Sequence, residues 1–177
     1  MDASNSKFRI VSVQNEDQLN AAKALFIAYT KWLGIDLTFQ NFASELQALP
    51  GKYCVPQGEL LLAYSTNGEK ALGCVAVRPL SHNDRSENQH GSQEQGGCCE
   101  MKRLYVSPEA RGLGLGKALI DTIVKRAKEL GYREMRLDTL PFMAGAIQLY
   151  KRVGFVEIPP YYETPLEGTL FLSLDLT

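Results

Sequence analysis

The segment Arg111-Gly112-Leu113-Gly114-Leu115-Gly116-Lys117 constrains this chain more than any other. It follows a strand-like run, Cys98 to Val106. It opens a helix-like run in which Leu115, Leu119, Ile120, Ile123, Val124, Ala127 and Leu130 form one stripe. Three glycines in five positions let the main chain take turn conformations closed to other residues and let a bulky anion approach closely. The unpaired N–H groups of a helix start, at the positive end of its dipole, make a phosphate site. The dipole contributes about 0.3–1 kcal/mol, rising to about 2 kcal/mol where partly buried. Two common phosphate loops fail on identity. G-x-G-x-x-G counted from Gly112 needs glycine where Lys117 stands. G-x-x-x-x-G-K-[ST] needs glycine at Arg111 and a hydroxyl residue at Ala118. A glycine-rich turn with no ligand is the plain alternative.

The rest of the composition narrows the class. A chain of 177 residues with 45% apolar types is long enough for one domain with a real core, expected to span 1–177. Charges sum to 19 − 20 = −1, without the basic excess of a nucleic-acid binder. The longest apolar run, Leu60 to Tyr64, falls far short of the roughly 18 residues of a membrane span. Residues Met1 to Lys7 lack the apolar core of a secretory signal, so a cytoplasmic location is expected. Cys54, Cys74, Cys98 and Cys99 form no C-x-x-C pair and read as thiols, with no metal. Both histidines, His82 and His90, fall in the polar segment 81–97, read as a flexible surface loop. Any catalytic base is then a carboxylate, a lysine, a tyrosine or water.

Periodicity lays out the elements. Strands are expected at 8–13, 59–65, 70–78, 98–106, 134–138, 155–158 and 170–176. Helices are expected at 16–33, from Thr38 as N-cap toward Pro50, at 115–130 with Gly131 as left-handed cap, and at 141–152. Thr66-Asn67-Gly68-Glu69 marks a hairpin. Hairpins mixed with crossover helices point to an α/β chain with a mixed sheet and helices on both faces.

At this point the residues resemble a known family. Arg111-x-x-Gly114-x-Gly116 is similar to the pyrophosphate signature [RQ]-x-x-G-x-[GA] of the GNAT acetyl-CoA-dependent N-acetyltransferases. Glu100 to Val106 resembles that family's fourth strand, and Leu149-Tyr150-Lys151-Arg152-Val153-Gly154-Phe155 resembles its L-Y-x-x-x-G-F element. The resemblance implies the GNAT fold, a central mixed sheet of about seven strands with helices on both faces. It implies acetyl-CoA as cofactor and a splay between the fourth and fifth strands that admits the pantetheine arm. Main-chain groups of Leu104, Tyr105 and Val106 would line that arm, with the Leu104 N–H toward the thioester oxygen. Amides of Arg111, Gly112, Leu113, Gly114, Leu115, Gly116 and Lys117 would hold the pyrophosphate. Glu100 stands where the family's histone-acetylating branch carries its base, with a solvated strand-edge carboxylate as the alternative. Asp138 is the second candidate base, or a cap for the helix after Pro141. Tyr150 would protonate the leaving thiolate or donate a hydrogen bond to it. Met143 stands where the family often has asparagine, which removes a side-chain contact to the cofactor arm.

The family's acceptor pocket maps onto Tyr29, Trp32, Leu33, Phe39 and Phe42, then Tyr161 and Tyr162. Such an aromatic wall suits a small amine with an apolar body. Lys102 and Arg103 read as exposed strand charges, or as anchors for a substrate carboxylate. The expected reaction is acetyl transfer to a primary amine of a small molecule, amino acid or peptide, by direct attack in a ternary complex. No nucleic acid or membrane partner is expected, and a homodimer is allowed. The rival readings are a non-catalytic acyl-CoA-binding module and a nucleotide-binding protein of another fold.

Overall fold

The computed structural model describes residues 7–67, 70–80 and 97–177. Seven strands form one sheet: β1 (Phe8–Ser12), β2 (Glu59–Ser65), β3 (Ala71–Pro79), β4 (Cys98–Val106), β5 (Glu134–Thr139), β6 (Val156–Ile158) and β7 (Leu170–Asp175). Their order across the sheet is β1-β2-β3-β4-β5-β7-β6. Every neighbouring pair is antiparallel except β4 with β5, which is parallel. Among the described residues the α-helices are α1 (Glu16–Leu33), α2 (Phe42–Ala48), α3 (Leu115–Glu129) and α4 (Ala144–Val153). This is the mixed sheet expected from the sequence. The loop expected at 81–97 lies outside the described residues, Gly97 excepted.

Both faces of the sheet are covered, which explains the unbroken apolar run in β2. Leu61, with Val75, Val77 and Met101, packs under Leu115, Leu119, Ile120 and Ile123 of α3. Leu60 and Leu62 point the other way, with Cys74 and Ala76, and meet Ala22, Leu25 and Phe26 of α1. The alternation of β-strand side chains therefore feeds two cores from one run.

Local chemistry sets the helix ends. The Asn15 side chain accepts from the Gln18 N–H at 2.9 Å to start α1, and Gly34, at φ 67°, ends it. Gly131 follows α3 at φ 89°, the left-handed conformation expected there. Two boundaries differ from the sequence reading. Thr38 opens a short 3-10 turn, Thr38–Gln40, whose Thr38 N–H donates to Asp36 Oδ1 at 2.8 Å; α2 starts only at Phe42. Likewise α4 starts at Ala144 rather than Pro141, and Met143 precedes it without a side-chain cap. Asp138 is therefore no helix cap.

Gly73 sits where β3, β4 and α3 meet most closely. A Cβ there would lie 2.7 Å from the Tyr105 carbonyl oxygen and 3.2 Å from Leu119 Cδ1. Main chain cannot yield as a side chain can, so overpacking of about 1–3 kcal/mol is expected for Gly73→Ala. Urea unfolding of that variant should show the loss, and a thermal melt a fall of about 2–4 °C per kcal/mol. An unchanged midpoint would mean that the strands separate freely at this point.

Candidate active site

The pairing of β4 with β5 is short. It runs from Cys98 opposite Glu134 to Glu100 opposite Arg136 and then stops, although both strands continue. Beyond Glu100 the strands splay, and the β5-facing peptide groups of 101–106 are left without a strand neighbour. On its other edge β4 slips in register against β3, from Tyr105 opposite Cys74 to Lys102 opposite Ala76. The extra residue is absorbed at Arg103, whose φ is 58°. That conformation costs a non-glycine residue about 1–2 kcal/mol.

The splay opens into a pocket of about 600 Å³, counting its open mouth. Leu33, Leu37, Leu140, Met143 and Leu166 supply its apolar wall. Tyr29, Gln40, Lys102, Arg103, Asp138 and Tyr150 supply the polar groups. Leu104 belongs to the same wall.

The glycine loop lies at the start of α3. Gly112 and Gly114 have φ of 77° and 78°, so both need the freedom that glycine provides. Gly114 caps α3 without any side-chain hydrogen bond. The first amide there to find a main-chain acceptor is Ala118, at 3.1 Å from the Gly114 oxygen. Among the described residues, the amides from Gly112 to Lys117 meet no main-chain acceptor. They form a row of free donors at a positive helix end, which fits a diphosphate. A Cβ on Gly116 would lie 3.3 Å from Leu149 Cδ2, so glycine also lets α4 approach this turn. The Leu115 side chain is core, and Lys117 turns outward to pair with Asp121 at 2.5 Å.

Charge is concentrated beside the pocket. Glu100 is only 1% exposed. Its Oε2 accepts from Arg78 Nε at 2.9 Å and Nη2 at 2.7 Å; its Oε1 accepts from the Tyr161 hydroxyl at 2.8 Å. Lys102 Nζ lies 3.6 Å from Glu100 and 3.1 Å from Asp138 Oδ1. Burial alone would raise the Glu100 pKa, but Lys102, Arg78 and the hydrogen bonds outweigh it and hold the carboxyl below its usual value. Burial also opposes charge on Lys102, yet Asp138 and Glu100 reverse this and raise its pKa. Tyr150 is pushed upward, chiefly by burial and then by Tyr29 and Asp138. It is therefore a neutral hydroxyl at physiological pH.

The geometry sorts the sequence candidates. Tyr29, Leu104 and Tyr150 meet at the pocket, and Asp138 joins them. Glu100 does not line it; neither is it the solvated edge carboxylate considered above, because β4 is interior and Arg78 covers it. Lys102 and Arg103 are not exposed charges either, with side chains only 10% and 4% accessible. Adjacent strand residues point to opposite faces, and here both faces are covered; that was the signal for burying both. Trp32 is 44% exposed and sits under the Arg111 guanidinium, 5.1 Å from ring centre to Cζ, rather than in the pocket wall. It also neighbours Tyr29 and Tyr105. Arg111 Nε donates to the Val106 carbonyl at 3.3 Å. Phe39 packs behind the wall with Leu33, Leu37 and Leu140, and Phe42 lies beneath Arg103. Tyr161 and Tyr162 pack edge-to-face with Phe171, and Tyr161 reaches Glu100 from there. Gln40, Met143 and Leu166 line the pocket without having been singled out for it. Gln40 and Met143 fall in stretches read as helix, and Leu166 in an irregular one; helical spacing does not tell which distant cleft such side chains will face.

Comparison with known proteins agrees with this geometry. Residues 26–155 match the acetyltransferase (GNAT) family. A Schizosaccharomyces pombe protein named as an uncharacterized N-acetyltransferase is 40% identical over 172 residues, covering 97% of this chain and 97% of that protein. A GNAT-family acetyltransferase structure from Staphylococcus aureus aligns with a TM-score of 0.72 at 20% identity, covering 96% of this chain and 99% of that one. A Salmonella typhimurium structure, described as an acetyltransferase with its cofactor acetyl-CoA, aligns at 0.64 and 18% identity, covering 97% and 95%. The two structures share the fold, while the family match and the yeast relative extend the likeness to sequence. The chain belongs to the acetyltransferase (GNAT) family, enzymes that use acetyl-CoA.

Proposed function

We propose that this enzyme acetylates a primary amine, of a small molecule, amino acid or peptide, by direct attack in a ternary complex. The observation that carries the reading is the early end of β4–β5 pairing, which joins the free amides at α3 to a pocket holding Asp138 and Tyr150. The main-chain donors from Gly112 to Lys117 would hold the diphosphate, the Arg111 amide being bonded instead to the Pro108 carbonyl at 3.3 Å, and the open edge of Leu104 to Val106 would receive the pantetheine arm. When bound, acetyl-CoA supplies an activated acetyl thioester. The Leu104 N–H stabilises charge developing on the carbonyl oxygen, a role that fixed donors in a dry cleft perform well.

An ammonium has no lone pair, so the acceptor must lose a proton. We assign that proton to Asp138, which faces the pocket, rather than to Glu100, whose oxygens are occupied by Arg78 and Tyr161. Glu100 instead holds Lys102 and Arg78 in place as charged groups. Tyr150 acts as a hydrogen-bond donor to the departing sulfur. A phenol is already a weaker acid than a thiol by roughly 2 kcal/mol, and burial widens that gap. Direct attack is supported by the cysteines: none lines the pocket, and burial pushes the Cys74 thiol up to about 12 and the Cys99 thiol higher still. The apolar side chains of the wall favour an amine with an apolar body. A cytoplasmic setting suits four free thiols. Among the described residues no helix is long and apolar enough to cross a membrane.

Thiol release from acetyl-CoA against a panel of amines tests the reading; binding of coenzyme A with no turnover on any amine would reduce the chain to a binding module. Asp138→Asn is expected to lower kcat by about 10²–10⁴-fold while leaving coenzyme A affinity in place. Glu100→Gln should act on stability first. Removing the buried charge that Arg78 and Lys102 face costs about 3–5 kcal/mol. Because the folded pKa of Glu100 is lowered, its contribution is present above the ordinary carboxylate range and is lost as pH falls through the folded value. Melts of wild type and Glu100→Gln should thus converge in acid; parallel curves at all pH values would contradict the ionised pairing.

At the phosphate loop, Gly114→Ala meets no steric obstacle but adds about 1–2 kcal/mol of backbone strain. Calorimetric titration with coenzyme A should show affinity reduced by about 5–30-fold. Unaltered affinity would separate this loop from diphosphate binding.

A further inference from the structure

Arg103 combines a strained backbone with a side chain that is held from three directions. Glu45 of α2 receives Nε at 3.1 Å on one oxygen and 3.3 Å on the other, and Nη2 at 2.5 Å. Gln40 Oε1 receives Nη1 at 3.0 Å. The guanidinium also lies 5.2 Å from the centre of the Phe42 ring. Glu45 is itself fixed by the Tyr53 hydroxyl. On the main-chain side, the Cys74 thiol donates to the Arg103 carbonyl at 3.3 Å. The left-handed φ falls at the register slip of β4, one residue before Leu104.

We propose that Arg103 is a positioning residue. Its clamp to Glu45 and Gln40 holds the left-handed bulge that aims the Leu104 N–H into the cleft, and so ties the acceptor-side segment 40–45 to the thioester-side donor. The clamp compensates a geometry that would otherwise be disfavoured by about ten-fold or more for a residue with a Cβ. No other described non-glycine residue in a strand has a positive φ. Gln40 belongs to the pocket wall as well, so an acceptor pressing on that wall bears on the same bulge. The proposal rests on the assignment of Leu104 as oxyanion donor.

The test is a comparison of Arg103→Ala with Arg103→Gly. Both delete the clamp, but only glycine takes a positive φ without strain. A residue needed merely for packing would make glycine equal to alanine or worse, since glycine weakens strands. The positioning role predicts the reverse. Arg103→Ala should lower kcat by about ten-fold or more, Arg103→Gly should recover several-fold of that loss, and Glu45→Gln should fall between them. Coenzyme A affinity, carried mainly by the diphosphate donors of 112–117, should change less than three-fold in all. An independent readout needs no turnover: the Leu104 amide resonance of the free protein should stay near its wild-type position in Arg103→Gly and move in Arg103→Ala. Glycine and alanine giving equal kcat and equal Leu104 shifts would overturn the proposal. Absence of acetyl transfer by the wild type would instead refute the functional reading, and the resonance comparison would still decide the clamp. If Arg103→Ala does not fold, Glu45→Gln against wild type decides it by the same two readouts.

Discussion

The parting of β4 from β5 is the constraint on which the rest depends. Three residue pairs of parallel ladder join the two halves of the sheet, β1 to β4 and β5 to β6. Beyond them two strands that could have gone on pairing diverge, leaving main-chain donors and acceptors facing a cleft. Exposed peptide edges are normally a liability. Here the edge is recessed between α1 on one side and α3 with α4 on the other, and it is available to an extended ligand that pairs as a strand would. The bulge at Arg103 sharpens the same divergence by bending β4 away from the ladder. The glycine loop then ends the cleft, with a helix whose first donors are unspent.

The charges beside the cleft follow a related logic. Arg78, Lys102 and Arg103 are set against Glu100, Asp138 and Glu45, each cation facing at least one carboxylate. Buried pairs of this kind add little net stability, because desolvation offsets most of the attraction. They do make the arrangement intolerant of losing a member, which fixes the positions of the side chains near the reacting groups. Asp138 is placed at the pocket by Lys102, and Lys102 is held charged by Asp138 and then by Glu100 behind it. The tyrosines belong to the same design. Burial keeps Tyr29, Tyr150, Tyr161 and Tyr162 protonated; Tyr161 donates to Glu100, and all four pack against other rings.

Much of this was legible in the residues. The stripe in α3 and the left-handed Gly131 after it are local features, decided by periodicity and by backbone freedom within a few residues. The same holds for Gly112 and Gly114, whose positive φ follows from the strand-to-helix turn they make. The family resemblance rested on that glycine turn together with 100–106 and 149–155. Boundaries set by longer contacts were less legible. The segment 38–48 carries an apolar spacing that suits one helix. Asp36 capturing the Thr38 amide, together with Asn41 at φ 54°, divides it into a turn and a short helix.

What the sequence determined by itself, then, was the order of elements and the glycine-rich turn, because both depend on interactions among near neighbours. The tertiary structure alone decided which charges matter. Glu100 lies opposite Arg78 only through the β3–β4 register, and Asp138 lies beside Lys102 only because β5 runs parallel to β4. Arg103 reaches Glu45 across 58 residues, and Trp32 meets Arg111 only because the end of α1 crosses the glycine loop. Such partners are brought together by sheet topology and helix packing, and the identity of a charged side chain carries no record of which distant residue will face it.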